Sequence, residues 1–490
     1  MTTHTRPVAV IGAGPVGLAA AAHLIERGEN PIVFESEAEI GANVRQWQHV
    51  RMFSPWEFTV DSATVRMLEA AGWQMPPAQD LPTGRDLIEQ YMRPFAALPQ
   101  VRQHIHLNAR VMAVSRRNID KMKDAGRDQA PFLLHVAYSD GREDLIEARA
   151  VIDASGTWRT PNPLGSGGLP AMGEKRATDH IFYGIPDVLG THYARYANKR
   201  VMVVGSGHSA INALLELVKV KETAPQTEII WTMRGKNLNV VFGGGEADAL
   251  AARAQLGSRI KGHVDAGTIR MVTPFRLSHI TAADRGVNVF GETPDGLENI
   301  PVDEIIATTG ARPDLEMLRE LRLELDPSLE STRALGPMID PNIHSCGTVR
   351  PHGEAELRHP EKNFYIVGMK SYGRAPTFLL ATGYEQARSV VAGLVGDWAA
   401  ARDVQLNLPE TGVCSSDLAG EGGSCCSTSN TQVTAQPLLI NLNRIPVNGQ
   451  LLHIAVSQAQ VAVKDCGCET TCCDDGARST TCGCDSACCN

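Results

Sequence analysis

The sequence predicts an α/β protein with two Rossmann-like dinucleotide-binding domains. Three observations lead there. Pro7 to Glu35 reads as strand, glycine turn, helix, second strand and acid. Arg200 to Met233 repeats that plan. Each copy is followed further along by an apolar strand ending in small residues and a glycine, and two copies imply two bound dinucleotides.

In the first copy, Val8 to Ile11 is the short apolar run that a buried parallel strand needs. Gly12-Ala13-Gly14-Pro15-Val16-Gly17 follows as G-x-G-x-x-G. Gly12 permits the tight turn, Gly14 lets a pyrophosphate approach the backbone, and Gly17 lets helix pack on strand. A helix from Val16 to Arg27 aims its positive end at that phosphate. Ile32 to Phe34 is the next strand, closed by Glu35, an acceptor for adenosine ribose hydroxyls. The matching strand end is Ala150-Val151-Ile152-Asp153-Ala154-Ser155-Gly156-Thr157, where small residues let the chain pass close to a cofactor.

In the second copy, Val201 to Val204 leads into Gly205-Ser206-Gly207-His208-Ser209-Ala210, or G-x-G-x-x-A. Its helix runs to about Lys221, and the next strand, Glu228 to Met233, ends in Arg234 rather than an acid. An arginine pairs with a ribose 2′-phosphate that a carboxylate would repel, which favours NADPH over NADH. His208 stands at the helix mouth, either against the pyrophosphate or as a tolerated polar residue. The later strand end is Asp303 to Gly310, ending Ala307-Thr308-Thr309-Gly310.

Between these landmarks, Ser36 to Phe58 is an aromatic-rich loop with Trp47, Phe53 and Trp56. Thr83 opens an amphipathic helix. His104 to Val114, Phe132 to Tyr138, Leu145 to Ile152, Thr268 to Val272 and Val287 to Phe290 read as strands. Phe242 to Leu256 runs from a triple glycine into a helical pattern. Asn363 to Gly368 is a buried-strand pattern, and a helix from about Gly383 to Leu394 either faces an electron-rich cofactor group or simply closes the fold.

Composition bounds the rest. A chain of 490 residues, 43% hydrophobic, has room for about two to four domains. Its net charge of −9, without a Lys/Arg-rich block, argues against a nucleic-acid partner. The first strand starts almost at once and no apolar run reaches membrane-spanning length, so a soluble cytoplasmic protein with no membrane partner is expected. All 12 cysteines lie at or beyond Cys346, eight of them in the last 25 residues. A cysteine-free body with a thiol-rich tail is not a disulfide-stapled secreted fold.

The order of these motifs, with Gly368 leading into Tyr384-Glu385-Gln386-Ala387-Arg388, resembles flavoproteins with two dinucleotide-binding domains. That superfamily includes flavin-containing monooxygenases and thioredoxin-reductase-like enzymes. The resemblance covers about residues 5 to 400. It implies FAD on the first unit and NADPH on the second, with the second domain inserted into the first. The implied division is 1–175 and 336–402 for the FAD domain, 176–335 for the NADPH domain, and 403–490 for a linker and flexible Cys-rich extension. Candidate FAD contacts are Gly12, Ala13, Gly14, Pro15, Gly17, Glu35 and Gly368. Candidate NADPH contacts are Gly205, Ser206, Gly207, His208, Ser209, Ala210 and Arg234; Gly156, Gly310 and Gln386 complete the two sites.

Departures narrow the choice. The redox-active cysteine pair of the disulfide reductases is missing from the body, and their Gly-Asp reads Gly368-Met369. The monooxygenase branch is favoured, although Phe182-Tyr183-Gly184 begins its F-x-G-x-x-x-H signature with Val188 in place of the histidine. The reaction expected is NADPH reduction of FAD, then oxygen transfer from molecular oxygen to a small soft nucleophile: sulfur, nitrogen or a trivalent metalloid. The cofactor carries that chemistry, so no catalytic side chain is singled out.

The tail begins with a Gly/Ser/Thr-rich stretch holding Cys414, Cys425 and Cys426. Leu438 to Ile440 and Leu451 to Ile454 flank Asn448-Gly449, as in a hairpin or a docking segment. Then a unit, CGC-acid-x-x-CC, occurs twice: Cys466, Cys468, Cys472 and Cys473, then Cys482, Cys484, Cys488 and Cys489. Dense adjacent thiols suit thiophilic ions such as mercury, cuprous copper, cadmium, or trivalent arsenic and antimony. Three functions follow: oxidation of trivalent arsenicals captured by the tail, S- or N-oxidation of an organic substrate beside a metal-storing tail, or a redox-regulated metal-binding protein.

Overall fold

The computed structural model describes residues 6–235, 251–344 and 349–406, with backbone alone for 251–256. These residues form two parallel five-stranded sheets, each backed by a three-stranded antiparallel sheet. The first parallel sheet holds β1 (Val8–Ile11), β2 (Pro31–Phe34), β3 (Ile105–His106), β7 (Ala150–Asp153) and β16 (Phe364–Ile366), in the order β16-β7-β1-β2-β3. The second holds β8 (Ile181–Tyr183), β9 (Arg200–Val204), β10 (Glu228–Thr232), β11 (Ile269–Val272) and β15 (Glu304–Ala307), in the order β11-β10-β9-β15-β8. All five strands of the second sheet lie in sequence between β7 and β16 of the first. The second domain is therefore an insertion in the first, as the resemblance implied.

The strands are apolar on both faces because both faces are covered. Val8 and Val10 point into a core shared with helix α1 (Pro15–Glu26) and helix α4 (Leu380–Leu394). Ala9 and Ile11 point the other way, against β4 (Ala109–Arg116), β5 (Phe132–Tyr138) and β6 (Glu143–Ala148). The inserted domain repeats this period of two. Val201 and Val203 face helix α2 (His208–Thr223), while Met202 and Val204 face β12 (Arg276–Ala282), β13 (Val287–Thr293) and β14 (Gly296–Val302). Helix α3 (Ala251–Asp265) packs beside α2.

Several sequence expectations are corrected. His104 to Val114 is not one strand but β3 and β4, which belong to different sheets; Asn108, at φ +53°, turns the chain between them. Leu145 to Ile152 likewise splits into β6 and β7 at Arg149, whose N–H donates to Pro7 O and whose guanidinium pairs with Glu29. Strands β12 and β14 were missed, because polar residues such as Ser278, His279 and Thr281 dilute the apolar alternation. Helix α4 starts at Leu380 rather than near Gly383. Gly383 serves close packing instead, since a Cβ there would come 2.7 Å from Val16 of α1 and from Phe378.

Candidate dinucleotide sites

The carboxyl edge of the first sheet opens into a cavity of about 580 Å³, within the range that takes sizeable ligands. The glycines of the first fingerprint shape its floor. Gly12 sits at φ +100°, where an added Cβ would lie 2.8 Å from Ala154 O. A Cβ on Gly17 would lie 1.9 Å from Gly12 O, so only glycine lets α1 begin this close to β1. Gly14, the N-cap of α1, has open space where its Cβ would be, which leaves its backbone accessible to a phosphate. Pro15 starts the helix without wasting a donor.

Glu35 follows β2 on the far side of the turn. It is 8% exposed, and its Oε2 accepts the Ala13 N–H at 3.0 Å while Oε1 accepts the Glu37 N–H at 3.1 Å. Gly156, at φ +72°, and Gly368, at φ +70°, line the same cavity from the ends of β7 and β16. So the structure brings Gly12, Gly14, Pro15, Glu35, Gly156 and Gly368 together around one cavity. Ala13 and Gly17 are buried just behind it. Trp47 and Met52, from the aromatic-rich loop, and Phe378, ahead of α4, supply apolar walls.

Gln386 does not face the cavity. Its side chain is fully buried: Oε1 accepts the Gly368 N–H at 2.7 Å, and Nε2 donates to Ser371 Oγ and to His352 Nε2, each at 2.9 Å. It braces the Gly368 turn from behind. Its sequence signal was only its place in a helix. Two lining residues carried no sequence signal at all. Asn43 leaves its Oδ1 buried without a hydrogen-bond partner among the described residues, an acceptor open to a ligand. Lys370 is a buried lysine at the cavity wall.

The second fingerprint is built the same way. Gly205 sits at φ +136°, and a Cβ there would lie 2.5 Å from Thr308 O, as Gly12 meets Ala154. Gly207 caps α2 and has nothing within 4 Å of its Cβ position. Ser206 and Gly207 are exposed, Ser209 is half-buried and Ala210 is buried. His208 is the first residue of α2, and its ring lies 5.4 Å from that of Phe53 in the first domain. Arg234 follows β10 on the surface, where its Nη1 donates to Ser166 O at 3.2 Å. Gly310 O accepts the Asn162 N–H at 2.9 Å, tying together the two segments that connect the domains. Val188, which replaces the signature histidine, is fully buried in the second core.

Among the described residues, no group of His, Cys, Asp and Glu is arranged to hold a metal ion. The cysteine candidates, Cys425 through Cys489, all lie outside the described residues, as does Cys346. No helix among the described residues is long and apolar enough to cross a membrane.

Two glycine cradles at the carboxyl edges of two nested parallel sheets, the first with a buried acid beside it and the second followed by a surface arginine, are the plan of a two-dinucleotide flavoprotein oxidoreductase using FAD and NADPH. The chain belongs to the pyridine nucleotide-disulphide oxidoreductase family, whose model matches residues 9–334. It is 27% identical over 219 residues to dimethylaniline monooxygenase [N-oxide-forming] 2 of Cavia porcellus. That match spans 44% of this chain and 38% of the guinea-pig protein. The fold is similar to that of the bacillithiol disulfide reductase Bdr of Bacillus cereus, with a TM-score of 0.60 at 20% identity over 80% of this chain and 99% of that one. It is also similar to the FAD-bound cadaverine monooxygenase DfoA of Erwinia amylovora, with a TM-score of 0.57 at 12% identity over 87% of this chain and all of that one.

Proposed function

We propose that this protein is an FAD- and NADPH-dependent monooxygenase of soft nucleophiles, whose substrates are trivalent arsenicals gathered by the C-terminal thiols. One observation carries the reading. Residues 9–334 match a disulphide-oxidoreductase family yet contain no cysteine. No dithiol in that stretch can receive the electrons, so an external acceptor takes them. Oxygen balances the reaction: one atom bonds to the substrate's lone pair, and the other leaves as water with two electrons from NADPH and two protons. FAD supplies the oxygen activation. The protein supplies the phosphate cradles and an apolar lining of Trp47, Met52 and Phe378.

The N-oxide-forming monooxygenase relative from guinea pig supports oxygenation. The two CGC-acid-x-x-CC units support capture of a thiophilic species, since soft thiolates favour soft ions. The same relative supports a second reading, N- or S-oxidation of an organic substrate beside a metal-storing tail.

The test mixes purified protein and FAD with NADPH and either arsenite, an organoarsenical, a tertiary amine or a thioether, and follows NADPH loss and oxygen uptake. Faster turnover with the arsenicals supports the first reading; acceleration by the amine or thioether alone sinks it. Removal of residues beyond about 405 should raise the KM for arsenite and leave NADPH kinetics alone.

A further inference from the structure

Lys370 lies in the turn after β16 and is 1% exposed. Its Nζ donates to Asp153 Oδ2 at 2.7 Å and to Ser155 Oγ at 3.1 Å. Asp153, the last residue of β7, is fully buried, and its Oδ1 accepts the Ser155 N–H at 3.0 Å and O–H at 2.6 Å. Burying two charges costs several kcal/mol per ion, and apolar side chains of similar volume often hold such a joint as well or better. Tying a turn to a strand is therefore a weak reason to keep this pair.

Its orientation gives a better one. Lys370 and Ser155 line the cavity, whereas Asp153 lies behind them. The cation of the pair therefore belongs to a residue that borders the cavity, and the anion to one set deeper. An ammonium has three donors, and Asp153 and Ser155 take two of them. Sheet order fixes which half of a dinucleotide comes near. Glu35 follows β2, on one side of the Gly12 turn; Asp153 and Lys370 end or follow β7 and β16, on the other. A cofactor with its adenosine ribose at Glu35 and its pyrophosphate at α1 carries its flavin half toward β7 and β16.

We propose that Lys370 is a cofactor-contacting residue whose ammonium, held in place by Asp153 and Ser155, stabilises negative charge on FAD. That charge belongs to the pyrophosphate or to the reduced isoalloxazine ring. The inference rests on FAD occupying the first cavity.

Lys370→Met alone strands a buried carboxylate, so the informative variant is D153N/K370M, which removes both charges at similar volume. Circular dichroism and thermal unfolding establish that it is folded. FAD titration by flavin fluorescence and the midpoint potential of the bound flavin are then measured. A rise in the FAD Kd of roughly 10- to 100-fold, as for loss of a charged hydrogen bond, assigns the ammonium to the pyrophosphate. A lowered midpoint potential assigns it to the reduced ring. Wild-type values for both overturn the proposal. If the variant does not fold, a structure of the native protein with FAD decides: Nζ within roughly 4–6 Å of a phosphate or ring heteroatom supports the assignment, and a longer separation overturns it. Failure of the native protein to bind FAD would instead sink the cofactor reading beneath it.

Discussion

Gly12 and Gly205 hold the same place in the two fingerprint units, each pressed against the small-residue end of the neighbouring strand. Five positions on, the units part. Gly17 has no room for a Cβ, whereas Ala210 carries one and is buried. The first turn is half-buried, and Glu35 is folded in beside it with its carboxylate on the Ala13 N–H. The second turn exposes Ser206 and Gly207. Strand register places Met233 where the first unit has Glu35, and Arg234 follows on the surface. One plan thus yields a closed cradle and an open one. That suits a cofactor that stays through many turnovers beside one that enters and leaves in each.

The comparison breaks most sharply at its tightest point. Gly17→Ala sets a methyl 1.9 Å from Gly12 O, with backbone on both sides of the clash. It should cost about 3 kcal/mol or more and strip FAD from the purified protein. The mirror change, Ala210→Gly, should cost only about 1 kcal/mol as a helix-propensity loss and leave FAD content intact. Thermal unfolding and the flavin-to-protein absorbance ratio check both. Equal losses in the two variants would mean that the cradles do not differ in tightness.

Arg234→Ser tests the open cradle. Loss of a guinidinium partner for a 2′-phosphate should raise the KM for NADPH by roughly 10- to 100-fold and leave the KM for NADH nearly unchanged. Steady-state kinetics with each nucleotide read this directly. A parallel rise in both would assign Arg234 to general phosphate attraction or to folding through Ser166.

Legibility in the sequence followed range. The fingerprints were readable because a tight glycine turn, a helix start and a short apolar strand are written in consecutive residues. Sheet membership was not. At Asn108 and Arg149 the chain passes between sheets with hardly a break in apolar pattern, and only distant partners decide where each strand pairs. Lys370 and Asn43 were unreadable for the same reason, because the cavity they line joins segments far apart in the chain. Gln386 looked like a cofactor contact until its partners, Gly368, Ser371 and His352, were in place. The tail thiols rest on spacing alone, since none lies among the described residues.

A further, pH-dependent effect also comes from matched positions. Nine residues past each N-cap glycine, α1 carries His23 and α2 carries Glu216. His23 is buried and meets Asp61 at 2.9 Å. Glu216 has its Oε2 buried without a hydrogen-bond partner among the described residues. Burial, with a contribution from the nearby Asp187 charge and partly opposed by Lys219, pushes its carboxyl up to about 7. The folded state therefore holds a proton that the unfolded chain releases near its ordinary value of 4.5. Stability from this group is complete below that value and is lost as pH rises through about 7. Glu216→Gln, which cannot ionise, should gain up to about 3 kcal/mol over the native protein at pH 8 and little at pH 4.5. Urea unfolding at the two pH values measures the difference. A gain that does not depend on pH would mean that the α2 carboxyl is as well satisfied as its counterpart in α1.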